Sequence, residues 1–397
     1  MDHGRIEIIN GRLITPDGII PGGHLLIEQN RIAGLGNSKN KGADLLTIDA
    51  RGNYVSPGFI DIHVHGGGGY DFMDGSETAF LQIANTHARY GTTSMLPTTL
   101  SGSRENLVDT LNAYELALKK NESGSQFLGM HLEGPYFAMN QRGAQDPKYI
   151  RNPDRREYEE ILNRFPFIRR WSVAPELPGA LAMGRELHSR GILASIAHTD
   201  AIYEDVVEAM ANGYSLATHL YSAMSGVTRR SAMRFAGVIE SAFLIDELDV
   251  EIIADGVHLP APLLKLVYKI KGPGRTALIT DAMRAAAMPE GESVLGHYKT
   301  GLKVIIEDEV AKLPDRSSFA GSVATADRLV RTMINVAEIS LPDAIKMITS
   351  TPARILGLTS TKGSLEAGKD ADIVIFDDKI NIQLTMIGGR VVYQREG

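Results

Sequence analysis

The sequence predicts an α/β protein: a (β/α)8 TIM-type barrel with a small β-sandwich built from both chain ends. Three observations carry that expectation. Through the middle of the chain, eight short apolar runs alternate with stretches of helical periodicity. Side chains suited to metal binding and proton transfer close or follow those runs, at the edge where a barrel carries its active site. Before the first run and after the last, the texture changes to short β-like segments punctuated by turn residues.

Taken in order, residues 5 to 50 alternate β-like runs at 6–9, 24–28 and 45–48 with turn signals such as Asn10-Gly11 and Pro16-Asp17-Gly18, the pattern of a small antiparallel sheet. The chain closes in the same way, with Gly363-Ser364-Leu365, the run 371–376 and a final I-G-G-R-V-V-Y. Sheet fragments at both ends predict one shared module. The sandwich is therefore assigned to residues 1–56 and 361–397, and the barrel to 57–360. Barrel strands are expected at 60–65, 94–98, 127–133, 170–175, 192–198, 215–219, 251–255 and 277–281, with helices at 77–90, 104–119, 179–189, 204–211 and 262–269. The connection 221–249 has no clear assignment.

Composition narrows the function. A chain of 397 residues, 43% apolar, accommodates two or three ordinary domains or one large barrel with an added piece. A net charge of −7 argues against a general nucleic-acid or membrane-surface binder. Cysteine is absent, so thiolate metal sites, disulfides and cysteine nucleophiles are excluded and any metal must be held by His, Asp or Glu. The N-terminal residues lack a basic segment followed by an apolar core, and no run reaches membrane-spanning length, so the expected compartment is the cytoplasm.

The stretch S-P-G-F-I-D-I-H-V-H-G-G-G-G at 56–69 is the centre of the chemistry. In a strand, residues two apart share a face, so His63 and His65 can point together into one space as ligands of a divalent cation. Four glycines follow, where a side chain would crowd anything approaching. An isolated His-x-His is more often one buried and one surface histidine, but here Glu133, His198 and His219 recur at further strand ends. His63 and His65 can hold one ion, His198 and His219 a second, and Glu133 can bridge them. Asp281, after the last run, can ligate metal, take a proton from an activated water and return it to a leaving group. His258, past the seventh run, is suited to hydrogen bonding a substrate carbonyl. His131 reads as packing or support, and His3, His24, His87, His188 and His297 are assigned no chemistry.

These residues also carry a resemblance. P-G-F-I-D-I-H-V-H-G, H-L-E-G-P, A-H-T-D, T-H-L-Y-S-A-M, A-D-G-V-H, T-D-A-M, S-F-A-G-S and the terminal G-S-L-E-A-G-K-D-A-D-I-V, in that order, resemble the N-acetylglucosamine-6-phosphate deacetylases of the amidohydrolase superfamily. The resemblance implies a barrel with a flanking sandwich, a cytoplasmic homodimer, and hydrolysis of the acetamido group of an amino-sugar phosphate. It implies metal ligands at Glu133, His198 and His219, with a second ion where the first His-x-His is kept, as here. Zinc is the expected metal, and iron, manganese and cobalt suit the same donors. Asp281 would be the general base and acid, and His258 the group that polarises the carbonyl. Substrate contacts would fall on Ala144, Gln145, Ser222, Ala223, Arg230, Asp255, His258, Phe319, Ala320 and Gly321, with Arg230 reaching the neighbouring subunit's site to bind phosphate. Gln145 stands where the family commonly has histidine, and Ser222 where it has asparagine. The alternatives are a deacetylase of N-acetylgalactosamine 6-phosphate, of an unphosphorylated sugar or of another N-acyl group, or a catalytically silent sugar-binding relative.

Overall fold

The computed structural model describes residues 4–36 and 45–396; His3 lies outside them. The chain ends do join. Arg5–Thr15 pairs antiparallel with Gly18–Glu28, which pairs with Arg31–Gly36, while Leu45–Asp49 and Tyr54–Pro57 lie parallel to the first strand. Against Tyr54–Pro57 runs Ile373–Phe376 from the far end of the chain, followed by Ile382–Ile387 and Arg390–Gln394. Together these strands form one eight-stranded sheet. Strand alternation lets Ile373–Phe376 serve two cores at once. Ile373 and Ile375 pack with Ile8, Leu25 and Ile27 of the terminal sheet, whereas Val374 and Phe376 pack into the large core with Phe59.

The central strands are Phe59–Val64, Thr92–Pro97, Gln126–Phe127 continued by Met130–Glu133, Ile168–Val173, Leu193–Ile196, Tyr214–Ala217, Asp249–Ile253 and Thr276–Ile279. Each lies within a few residues of its expected place. All neighbouring pairs are parallel, in a three-stranded and a six-stranded sheet. A parallel bridge between Thr98 and His131 joins the two sheets on one side, and on the other Asp281 N donates to His63 O at 2.9 Å. This arrangement is consistent with a TIM-type barrel.

The helices Glu77–Ala88, Arg104–Lys120, Ala180–Ser189, Tyr203–Ala211 and Ala261–Lys271 match expectation. Ser76 and Ser103 start the first two by accepting from Ala79 N and Asn106 N, each at 3.2 Å. Further elements went unread. Arg155–Arg164 carries so many charges that only Tyr158, Ile161 and Leu162 mark its buried face. The unassigned connection folds as a hairpin, Thr228–Arg230 with Met233–Phe235, and the helix Val238–Leu244. After the eighth strand comes a four-stranded antiparallel insertion, Gly291–Leu295, Leu302–Glu307, Val310–Lys312 and Phe319–Ser322, before the helices Ala326–Asn335, Leu341–Ile348 and Ser350–Ile355.

Candidate metal centre

The first central strand ends at Val64, and the histidines on either side of that end bring their Nε2 atoms to 3.2 Å. Glu133 is the last residue of its strand. His198, His219 and Asp281 each stand two residues beyond a strand, with left-handed φ of 47°, 33° and 47°. Such backbone is costly for a residue with a Cβ and persists where its surroundings enforce it. Here His198 O accepts from Ala138 N, His219 O accepts from Ser222 N, and Asp281 is held on both sides by His63 O and Ser322 N, all at 2.8–2.9 Å.

These side chains converge on one carboxylate. Glu133 Oε1 lies 3.1 Å from His219 Nε2, 3.3 Å from His63 Nε2 and 3.4 Å from His198 Nε2, and its Oε2 lies 3.5 Å from His65 Nε2. Asp281 Oδ1 is 3.1 Å from His65 Nε2 and 3.5 Å from His63 Nε2. Two donor sets result, His63/His65/Glu133 and Glu133/His198/His219, each with its ligand atoms within 4.8 Å of one another. All five residues are buried.

The hydrogen bonds behind the rings show that the set fits a cation. His65 Nδ1 lies 3.2 Å from Thr98 O and His198 Nδ1 lies 2.8 Å from Gln141 O. A carbonyl only accepts, so Nδ1 carries the proton in both rings, and in the neutral imidazole Nε2 presents a bare lone pair to the carboxylate. A lone pair facing an anion is repulsive until something positive stands between them. Backbone carbonyls that fix a tautomer in this way are a regular feature of metal-binding histidines.

With protons as the only cations, the charges settle differently. Burial opposes a charge on His63, yet Asp281 and Glu133 outweigh it and raise its pKa to about 10. His65 is raised for the same reasons. Burial would lift both acids; instead His63, with hydrogen bonds from His198 and His219, holds Glu133 well below the usual carboxylate range, and His63 and His65 lower Asp281. A divalent cation and these protons are competitors for one acidic pocket.

The surrounding layer was partly legible. His131 bridges Thr98 Oγ1 at 3.2 Å and Ser172 Oγ at 2.7 Å, and burial together with Arg170 holds it neutral, with its pKa well below the ordinary histidine value. Arg170 and Glu251 were missed. The guanidinium donates to Ser195 Oγ, Ile62 O, Thr218 Oγ1 and both oxygens of Glu251, so all five of its N–H groups are used. Partners on or just beyond four other central strands can meet only inside the barrel. Its sequence signal was a charge within each of two buried strands, I-R-R-W-S-V and D-V-E-I-I. Glu251 Oε2 lies 3.7 Å from His63 Nδ1. Of the glycines after His65, Gly66 admits the chain's own backbone: a Cβ there would sit 2.4 Å from Tyr70 O and 2.8 Å from Arg284 N.

Above the cluster opens a cleft of about 800 Å³. His65, Glu133, His198, His219, Asp281 and His258 reach its wall, as do Ala144, Gln145, Ser222, Ala223, Phe319 and Gly321. Asp255 and Ala320 are buried behind it. Asp255 supports His258, accepting from its Nδ1 at 2.7 Å and from the backbone N–H groups of Val257 and His258 at 2.9 and 2.8 Å. Arg230 lies off the wall, on the exposed hairpin, with its guanidinium 5.3 Å from the centre of the Phe235 ring. The insertion supplies two cations to the wall that the sequence did not single out, Lys312 and Arg316, both paired with Glu307.

A parallel barrel with clustered imidazoles and carboxylates at its strand ends defines a metal-dependent hydrolase. Residues 54–392 match the model of the Amidohydrolase family, and the chain belongs to that family. It is 34% identical over 352 residues to an N-acetylglucosamine-6-phosphate deacetylase of Lysinibacillus sphaericus, covering 87% of each chain. It is 30% identical over 381 residues to an N-acetylgalactosamine-6-phosphate deacetylase of Escherichia coli O157:H7, covering 96% of this chain and 97% of that one. Among solved structures, a mutant N-acetyl-D-glucosamine-6-phosphate deacetylase from Mycobacterium smegmatis, in complex with N-acetyl-D-glucosamine-6-phosphate, superposes with a TM-score of 0.89 at 28% identity, covering 98% of this chain and 100% of that one.

Proposed function

We propose that the protein hydrolyses the acetamido group of N-acetyl-D-glucosamine 6-phosphate, giving acetate and glucosamine 6-phosphate. The observation that carries this reading is the buried Glu133 ringed by four imidazoles with Asp281 beside them, in a chain similar almost end to end to deacetylases of amino-sugar phosphates. One or two divalent cations, zinc first among the candidates, would be held by His63, His65, Glu133, His198 and His219, with Asp281 as a further ligand. A cation there acidifies water and polarises a carbonyl.

The chain's own residues supply the rest. Asp281, kept ionised by His63 and His65, takes the proton of the attacking water as oxygen bonds to the acetyl carbon. It gives that proton to the sugar nitrogen as the C–N bond breaks. His258 has its Nδ1–H committed to Asp255, which fixes the ring plane, so Nε2 donates to the carbonyl oxygen when the ring carries both protons. Ala144, Ser222, Ala223, Phe319 and Gly321 would meet the sugar, and His258 its acetyl group.

Arg230 would serve a neighbouring copy in a homodimer. Support for this is the exposed hairpin that carries it, where Met233 is 67% exposed, with Val227 just before it 58% exposed. A sugar phosphate does not cross a bilayer unaided, which supports a cytoplasmic site of action. The two cores served by Ile373–Phe376 support two units, a (β/α)8 barrel at 57–360 and a module from 1–56 and 361–397, although the strands of the expected sandwich lie in one eight-stranded sheet.

A second reading, the galacto epimer as substrate, is favoured by the 30% identity to the Escherichia coli protein. Initial rates of acetate release from both N-acetylhexosamine 6-phosphates and their unphosphorylated forms separate the readings. The highest kcat/KM is expected on the phosphorylated gluco sugar. A higher value on the galacto sugar would install the second reading, and no acetate from any of the four would remove both.

A further inference from the structure

We infer that Gln145 is a positioning residue of the metal centre, a neutral clamp on Glu133, and not a contact to the sugar. The inference rests on the reading of Glu133 as a metal ligand. Gln145 is 6% exposed, and each end of its amide has its own partner. Its Oε1 accepts from Ser101 N at 2.9 Å, and its Nε2 donates to Glu133 Oε2 at 2.7 Å. A backbone N–H can only donate and an ionised carboxylate can only accept, so chemistry fixes the amide's orientation. Flipped, it would set donor against donor and acceptor against acceptor.

The backbone of Gln145 is anchored as well, its N–H bonded to Arg142 O at 2.9 Å. Ser101 follows the second central strand and Glu133 ends the third. The amide therefore ties two strand ends to the 142–145 turn. A terminal carboxylate torsion is soft when left alone. With Oε2 held at 2.7 Å by Gln145, Oε1 stays among the Nε2 atoms of His219, His63 and His198 at 3.1 to 3.4 Å. Because the clamp is uncharged, it orients the anion without neutralising it, and the negative charge remains for a cation. Losing the clamp should weaken the Glu133/His198/His219 position first, since that set draws on Oε1.

The test uses the full-length protein, apo and reloaded with Co(II), whose visible spectrum reports coordination. Gln145→Leu keeps the volume and removes both hydrogen bonds; Gln145→Asn keeps the amide and takes it out of reach, which guards against misfolding of the leucine variant. Removal of a group that orients a ligand typically costs about 10–100-fold in metal affinity. That loss, read by chelator competition with an altered Co(II) spectrum, is expected for both variants, together with a KM at saturating metal that changes less than about twofold. Gln145→His retains one donor and one acceptor and should recover part of the affinity. Co(II) affinity within about threefold of wild type in both variants, with KM raised, would overturn the inference and return Gln145 to the substrate. Glu133→Gln separates the two levels. If it keeps its metal, the metal reading itself fails; if it loses metal while both Gln145 variants keep theirs, only the clamp fails.

Discussion

Two glutamates lie buried inside this barrel, and they are neutralised in opposite ways. Glu251 is fully buried and faces Arg170, whose five N–H groups are all used within the chain. Burial would raise the Glu251 pKa, and the guanidinium, with a smaller contribution from His63, more than reverses that. Glu133, by contrast, is met by the imidazoles of His63, His65, His198 and His219 and by the amide of Gln145, with no arginine or lysine on it among the described residues. The first carboxylate is complete as the chain folds, because arginine does not release its proton in the working pH range. The second is complete only with protons or a metal, and that incompleteness is what makes it a site. On the proposed function one buried glutamate is structural and the other a metal ligand, and the sign of the difference is the nature of the counter-charge.

The sharpest way to break that contrast is at Asp281, which shares the imidazoles of Glu133. Asp281→Asn keeps the size and hydrogen-bonding capacity of the side chain while abolishing proton transfer. A loss of roughly 10²–10⁴-fold in kcat is expected, the usual contribution of general acid–base catalysis, with an unchanged circular-dichroism spectrum. A variant that keeps more than about a tenth of wild-type turnover removes Asp281 from proton transfer.

The same charge removed from each glutamate should then have opposite consequences. Glu251→Gln leaves the Arg170 guanidinium buried and unpaired, and breaking such a pair from one side typically costs about 3–5 kcal/mol. Glu133→Gln leaves imidazoles that can stay neutral, so the metal-free variant should lose far less in urea unfolding. It should also lose the stabilisation that added metal confers on wild type, about 2.7 kcal/mol at a free concentration 100 times the dissociation constant. Glu251→Gln should still respond to metal. Equal destabilisation by both changes, or a metal response surviving in Glu133→Gln, would erase the distinction.

How far the sequence told these two apart follows from where their partners lie along the chain. Glu133 was legible because its neighbours are of the same chemical kind and sit at equivalent places, just beyond apolar runs ending near His65, His198, His219 and Asp281. Glu251 was not, because its partner Arg170 is 81 residues away and neither residue stands at a strand end. The eight central strands could be read from hydrophobic runs, and the pairing of Tyr54–Pro57 with Ile373–Phe376 from the shared texture of the two ends. The insertion from Gly291 to Ser322 escaped because its strands are short and half-exposed, and it breaks the βα alternation used to read the rest. Gln145 illustrates the limit. Its match to a position of the resembled family suggested the sugar, whereas its amide reaches Glu133, a contact no local pattern encodes.

The subtlest consequence of the comparison is in how stability depends on pH. In protein stripped of metal, part of the counter-charge to Glu133 and Asp281 is a proton on His63, whose pKa is raised from 6.5 to about 10. A group with a raised folded pKa binds its proton more tightly when folded. Its stabilisation is complete below the unfolded value, near 6.5, and is lost as pH rises towards about 10. Metal-free protein should therefore become easier to unfold across that window, by no more than about 1.4 kcal/mol per pH unit for each proton involved. With metal bound the imidazole is held unprotonated and this proton-linked loss should vanish, since the cation has taken the proton's place. The Arg170–Glu251 pair contributes nothing to the slope in either form, because its cation does not titrate there. Urea unfolding of metal-free and metal-loaded protein at pH 7, 8 and 9 measures the difference directly. Parallel pH profiles for the two forms would mean that neither His63 nor His65 carries an extra proton in the metal-free protein, and that Glu133 is neutralised by something other than those two imidazoles.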